Sequence, residues 1–312
     1  MRKYIIDTDT GSDDAVALIM ALKSPDISIE AITTVCGNVP LEQATKNALM
    51  TMEITKGHMP PVYVGEEVPL ERPLKTATYV HGNDGMGDQG LIHPKLQVNA
   101  GHAVDKIIEI VKANPEEIEI VTIGPVTNIA RAVMKAPEVM KTVKHIYAMA
   151  TGGFGPGNVT PVAEFNVYVD GEAFEIMLNA GIPITIAGFD ICLGEAALNK
   201  EEIDFVRNAG KPEATFAMAC NERKIEWNLK AFNRYDINLP DPIAMAVALW
   251  DDIITEGVEA HCYTCTKEEP VYGQVVVDPG CFGNETQPFN ATVIKSIDAQ
   301  LYKKKLIELL TL

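Results

Sequence analysis

The chain has 312 residues, long for one domain but compatible with a single large α/β unit, and 47% of them are hydrophobic, ample for a sizeable core. A formal net charge of −17 argues against nucleic acid as a partner, because its phosphates would be repelled. The longest uninterrupted apolar stretch, Ala15–Leu22, is far short of the ~20 residues that a membrane span needs, and the opening MRKYIIDTDT lacks the apolar core of a signal peptide.

In chain order, KYIID is a short apolar run that ends in polar turn residues and reads as a buried strand. DDAVALIMALKS places Ala15, Leu18, Ile19 and Leu22 at helical spacing. SIEAITTVCG is a second strand, PLEQATKNALMTMEITKG a second helix with Pro40 near its start, and PPVYVG a third strand. From there to about Asn99 the chain is rich in Gly, Pro and His and has little periodicity. A loop of that length inside a compact domain is usually functional. The alternation resumes with the helix GHAVDKIIEIVKAN, the strand EIEIVTIG, the helix PVTNIARAVMKA and the strand VKHIYAMATGG, then the helix DGEAFEIMLNAG and the strand IPITIAGFD. Two or more helices follow through residues 200 to 250. The last part carries strands in VEAHCYTC, GQVVVD and NATVIK and a final helix in DAQLYKKKLIELL. Residues 1–312 therefore read as one domain built on βαβ units, an open, mostly parallel sheet with helices on both faces and a Rossmann-like core.

The six cysteines are most simply free thiols in a reducing cytoplasm. Cys262 and Cys265 lack the second pair or the spaced histidines of a zinc site. In a strand they fall on opposite faces.

The stretch DTDTGSDDAVAL packs Asp7, Asp9, Asp13 and Asp14 together and then turns apolar without a break. The element order puts Asp7 and Asp9 at the carboxyl end of the first strand, where ligands of open α/β sheets gather. Gly11 permits a tight turn, and Asp13 and Asp14 open the first helix. Capping by Ser12 or Asp13 accounts for one or two carboxylates, not four. A phosphoryl-transfer motif of the haloacid-dehalogenase type, D-x-D-x-[TV], meets Gly11 at its fifth position and leaves Asp13 and Asp14 without a role. A hard cation, with a working carboxylate beside it, uses them all: Ca²⁺ takes six to eight oxygens and can acidify a water for a spare aspartate to deprotonate.

DTDTGSDDAVA resembles the signature of the nucleoside hydrolases, the inosine–uridine-preferring N-ribohydrolase family. The resemblance continues in order through TVCGN, HGNDGMGD, TIGPVTNIA, GNVTPVAEFNVYVD and PDPIAMA, and so spans most of the chain. It implies Ca²⁺ held by Asp9, Asp14, the backbone carbonyl of Ile123 and Asp241, with Asp7 one layer behind, orienting the site. Water and two ribose hydroxyls would complete the sphere. It implies Asp13 as general base. Asn38, Asn158, Glu164 and Asn166 match the sugar-contacting positions, aided by the backbone near Met149. Glu164 and Asn166, two apart, would share one face of an extended segment, with Phe165 turned to the core. A ribonucleoside substrate and a homodimer or homotetramer complete the expectation.

One position departs from the pattern. Many members carry His-Asp-Pro, whose histidine protonates the leaving base. Here NLPDPIAMA puts Pro240 in its place, and proline has no proton to give. His81 matches a family position that faces the base and is the candidate acid, with His93 nearby in sequence. Trp227, Phe232 and Tyr235 lie in the segment that usually lines the base pocket. Two functions stay open: a Ca²⁺-dependent ribonucleoside hydrolase of nucleoside salvage, and a nucleoside- or ribose-binding protein of the same fold with little turnover. Retention of Asp13 favours the enzyme, because binding alone needs no base.

Overall fold

A computed structural model describes residues 1–280 and 287–312. Nine strands form one sheet: β1 (Arg2–Thr8), β2 (Ile27–Thr34), β3 (Val62–Val64), β4 (Ile118–Thr122), β5 (His145–Met149), β6 (Ile184–Ala187), β9 (Ile254–Thr264), β10 (Val275–Asp278) and β11 (Ala291–Ile297). A separate antiparallel pair joins β7 (Leu198–Asn199) to β8 (Asp236–Ile237). The order across the sheet is β10-β9-β11-β6-β5-β4-β1-β2-β3. Neighbours from β3 to β11 are parallel, and β9 and β10 are added antiparallel.

The first strands alternate Tyr4 and Ile6 into one hydrophobic cluster and Ile5 into the other, so each face of the sheet has its own core. Strands covered on both faces read as continuous apolar runs, which is why the sequence shows KYII rather than an alternating pattern. The helix Ser12–Lys23 is buried from Ser12 to Leu22. It is packed by the helices Leu41–Thr55, Pro212–Cys220 and Pro240–Leu249, and an all-round apolar helix is the expected consequence.

From β1 the chain builds outward through β2 to β3 and then crosses back to β4 on the other side of β1. The gap between the carboxyl ends of β1 and β4 is thus the point where the winding reverses, and a crevice opens there. Asp9 follows β1, Ile123 follows β4, and Met149 ends β5.

The structure differs from the sequence reading at several points. The loop after β3 holds a short helix, Thr78–His81, and Asn47 Nδ2 pins it by donating 2.8 Å to the Asp84 carbonyl. Gly11 is extended at φ −96, so no left-handed turn demands glycine there. A Cβ at that position would stand 2.8 Å from Asn38 Nδ2, and the constraint is close approach. The segment at Glu164 is not extended: Glu164 caps the helix Phe165–Val169. Cys262 is buried on β9 and Cys265, just past the strand, is partly exposed; the described cysteines are free thiols, and Cys281 lies outside the described residues. Among the described residues no helix is long and apolar enough to cross a membrane.

Candidate active site

The first helix begins where β1 stops, and its opening turn delivers Asp13 and Asp14 to the crevice while β1 delivers Asp9. Asp241 arrives from the first turn of the helix Pro240–Leu249. All four are buried. Carboxylate oxygens of Asp13, Asp14 and Asp241 come within 4.8 Å of one another. Asp9 is clasped beside them. Its Oδ2 accepts 2.6 Å from the Asn38 backbone N–H. A Cβ on Gly37 or Gly124 would stand 2.0 or 2.8 Å from its carboxylate, so both glycines are there to let backbone close around it. Asp14 accepts from Thr8 Oγ1 at 2.7 Å and from the Gly11 N–H at 2.8 Å. Asp7 lies behind, held by Thr33 Oγ1 at 2.5 Å and Asn128 Nδ2 at 2.8 Å.

These bonds do not offset the charge. Burial, then the charge of Asp14, pushes the Asp9 carboxyl well above the usual range. Burial and the neighbouring carboxylates do the same to Asp241. Asp14 is pushed up to about 6 by burial and by Asp13. Asp9 Oδ1 and Asp13 Oδ1 are buried and accept no hydrogen bond. Unpartnered buried oxygens in an all-oxygen cluster suit a hard cation such as Ca²⁺.

Asp13 differs from the others. Burial opposes its ionisation too, but the Lys224 ammonium, 3.0 Å from Oδ2, outweighs it and holds the carboxyl below its ordinary value. His81 Nδ1 stands 3.7 Å from Asp13 Oδ1 and 2.8 Å from Ser12 Oγ. Burial pulls the His81 imidazole down to about 4, so the ring is neutral at pH 7.

Above the carboxylates lies a cavity of about 420 Å³, within the range of small-molecule sites. On one side it is walled by Asn38, Asn158, Glu164 and Asn166, beside Ile123 and Met149. Asn166 Nδ2 donates to the Met149 carbonyl at 3.0 Å and to the Ile123 carbonyl at 3.3 Å, tying the ends of β4 and β5 together. Glu164 accepts the Asn166 N–H at 3.0 Å, which fixes its carboxylate at the helix N-terminus. Phe165 lines the cavity instead of facing the core. Asn158 Oδ1 accepts the Phe165 N–H at 2.9 Å.

The opposite side is apolar and aromatic, with Tyr79, Leu193, Trp227 and Phe232, and Pro240 near the floor. Trp227 and Phe232 meet edge to face with centroids 5.3 Å apart. Tyr235 is not in this wall; its hydroxyl meets Arg207 at 3.3 Å. His93 is exposed and takes no part in the cavity. Lys224 was not anticipated from sequence, where the reading of this segment names Trp227, Phe232 and Tyr235 alone. The available signal was its spacing: Lys224, Trp227 and Asn228 fall on one helical face.

Fold and cleft together define a doubly wound α/β protein with a carboxylate-ringed site, suited to a cation, at its switch point. The sequence pattern described as "Inosine-uridine preferring nucleoside hydrolase" matches residues 4–304, and the chain belongs to that family, whose members cleave N-glycosidic bonds. It is similar to the pyrimidine-specific ribonucleoside hydrolase RihA of Salmonella paratyphi C, 35% identical over 97% of this chain and 96% of the relative. Among solved structures it resembles the plant nucleoside hydrolase PpNRh1, with a TM-score of 0.91 and 29% identity over 99% of each chain. It also resembles the purine-preferring ribonucleoside hydrolase of Gardnerella vaginalis, with a TM-score of 0.91 and 27% identity over 99% of this chain and 98% of the other. Membership favours the hydrolase over a binding protein without turnover.

Burial pushes the Glu164 carboxyl up to about 7 despite the N–H groups it accepts. A carboxyl whose folded pKa lies above its unfolded value stabilises the fold most at low pH, because the folded state then binds the extra proton. Its contribution is complete below about pH 4.5, the ordinary value, and is lost as pH rises to about 7. Urea unfolding of the protein across that window should show stability falling with pH, and Glu164→Gln should flatten the slope. An unchanged slope in the variant would assign the pH dependence to other groups.

Proposed function

We propose that this protein hydrolyses ribonucleosides to ribose and free nucleobase with the help of a bound Ca²⁺, in nucleoside salvage. The observation that carries the reading is a nucleoside-sized cavity lined by Asp13 and Asp241, with unpartnered buried oxygens on Asp13 and on the neighbouring Asp9. Asp9, Asp14, the Ile123 carbonyl and Asp241 would hold the ion. When bound, it would neutralise the cluster and supply the Lewis acidity that eases deprotonation of a water. Asn38, Asn158, Glu164 and Asn166 would hold the ribose, and Trp227 and Phe232 would flank the base.

Asp13 is the proposed general base. It lines the cavity, it has an oxygen without a partner, and Lys224 keeps it ionised. His81 is proposed to orient it from the other side and to contact the leaving base. A second reading exchanges the two motif roles: Asp9 Oδ1 is also buried and unpartnered, and Asp9 as base would leave Asp13 to anchor a ribose hydroxyl. Kinetics of Asp13→Asn separate them. A base loses kcat by ~10²–10⁴-fold with substrate binding retained. A hydroxyl anchor would instead show mainly in KM, and that result would move the base to Asp9.

Chelation should abolish ribose release and lower the melting temperature, and added Ca²⁺ should restore both. An ion at a thousandfold excess over its Kd stabilises the folded state by ~4 kcal/mol. Activity and melting that ignore thorough chelation would exclude the ion.

Uridine and deoxyuridine assayed side by side should differ by ~10⁴-fold or more in kcat/KM, because a missing hydroxyl strands buried polar partners. Equal values would refute the ribose pose.

A further inference from the structure

Leaving-group activation is the open part of the cleft. Pro240 lines the cavity and offers no proton. His81 Nδ1 is engaged by Ser12 Oγ at 2.8 Å and faces Asp13. Arg234 also lines the cavity, but its side chain is 59% exposed and paired with Asp236 at 3.1 Å. Lys224 remains. It is 8% exposed, unusual for a lysine, which is rarely buried without a purpose. Its helix, Glu222–Phe232, starts beside Asn221, whose Nδ2 donates 2.7 Å to the Ser12 carbonyl and 2.9 Å to the Ala217 carbonyl. The start of that helix is therefore bolted to the aspartate motif. The ammonium lies 3.0 Å from Asp13 Oδ2, and Lys224 is one helical turn from Trp227 and Asn228, which line the same cavity.

We propose that Lys224 is a catalytic residue that stabilises the departing nucleobase, supplying from the helix Glu222–Phe232 the positive donor that position 240 lacks. The inference rests on the nucleoside-hydrolase reading above. In the step, water oxygen bonds to C1′ and one of its protons passes to a motif carboxylate. The C1′–N bond breaks and its electron pair stays on the base. The negative charge spreads to the acceptor next to the broken bond, O2 of a pyrimidine or N3 of a purine, and the Lys224 ammonium donates a hydrogen bond to it. The carboxylate then gives its proton to solvent and the base anion takes one from solvent. A preformed donor in a water-poor site acts on charge as it develops. Lys224 requires no particular base, only an acceptor beside the glycosidic nitrogen.

The test compares uridine and inosine with p-nitrophenyl riboside, whose leaving charge is drawn away onto the nitro group. In Lys224→Gln, which keeps a donor to Asp13 but removes the charge, kcat/KM should fall for all three substrates, and for the two nucleosides by ~10²–10³-fold more than for the nitrophenyl riboside, the pattern of a lost transition-state donor. Lys224→Arg should recover part of the nucleoside activity. Lys224→Met, which also removes the donor to Asp13, should lower the nitrophenyl rate further while the nucleosides keep their larger loss, and thermal melting and Ca²⁺ titration calorimetry on each variant would report a folded, ion-competent protein. An equal loss on all substrates, or no loss on any, overturns the role of Lys224 alone. A parent protein that releases ribose from none of the three overturns the functional reading and the inference with it.

Discussion

The governing constraint is the confinement of Asp9, Asp13, Asp14 and Asp241 in a buried pocket at the reversal point of the sheet. Charges this close repel strongly once water is removed. Much of the surrounding design answers that repulsion. Gly37 and Gly124 bring backbone against Asp9, Asn38 donates to both Asp9 and Asp14, and the N-terminus of the first helix faces the cluster. Asp7 takes two donors of its own and stiffens the layer beneath. The residual charge, left on oxygens that accept nothing, is the space a divalent cation would satisfy.

The cleft divides by chemistry as well as by position. One wall comes from strand ends and the Glu164 cap, rigid and rich in amides and carbonyls, suited to sugar hydroxyls. The other comes from the helix Glu222–Phe232 and the loop helix Thr78–His81, apolar and partly open. Asp13 stands between them with Lys224 on one oxygen and His81 near the other. Asp9, Asp14 and Asp241 come from the central strand end and the buried helices, whereas Trp227 and Phe232 come from the helix Glu222–Phe232, so the aromatic wall can vary without disturbing the carboxylates. Relatives described as pyrimidine-specific and as purine-preferring accord with such a division.

Much of the architecture was legible in the residues. Apolar runs of strand length alternating with helical periodicity gave the parallel sheet, because strands buried on both faces must be apolar throughout. DTDTGSDD announced a charge problem at a strand end, and PDPIAMA supplied its distant partner Asp241. The absence of a proton donor at Pro240 was equally plain. Local chemistry misled at two points. Glu164–Asn166 reads as extended by spacing, yet a carboxylate that caps the next two N–H groups starts a helix. Gly11 reads as a turn residue, yet crowding by Asn38 is what excludes a side chain.

By itself, the sequence determined which elements form, which carboxylates crowd together and which family they belong to, since these follow from periodicity and from motifs that are continuous along the chain. The tertiary structure alone decided what faces those carboxylates. Lys224 is 211 residues from Asp13, in a helix whose sequence does not show which face turns inward. Only the packing of that helix onto the aspartate motif, through Asn221 and Ser12, turns its ammonium inward. His81 is likewise an ordinary loop histidine until burial against Ser12 and Asp13 removes its charge. Both outcomes depend on desolvation and proximity, which are properties of the folded surface and have no signature in local sequence.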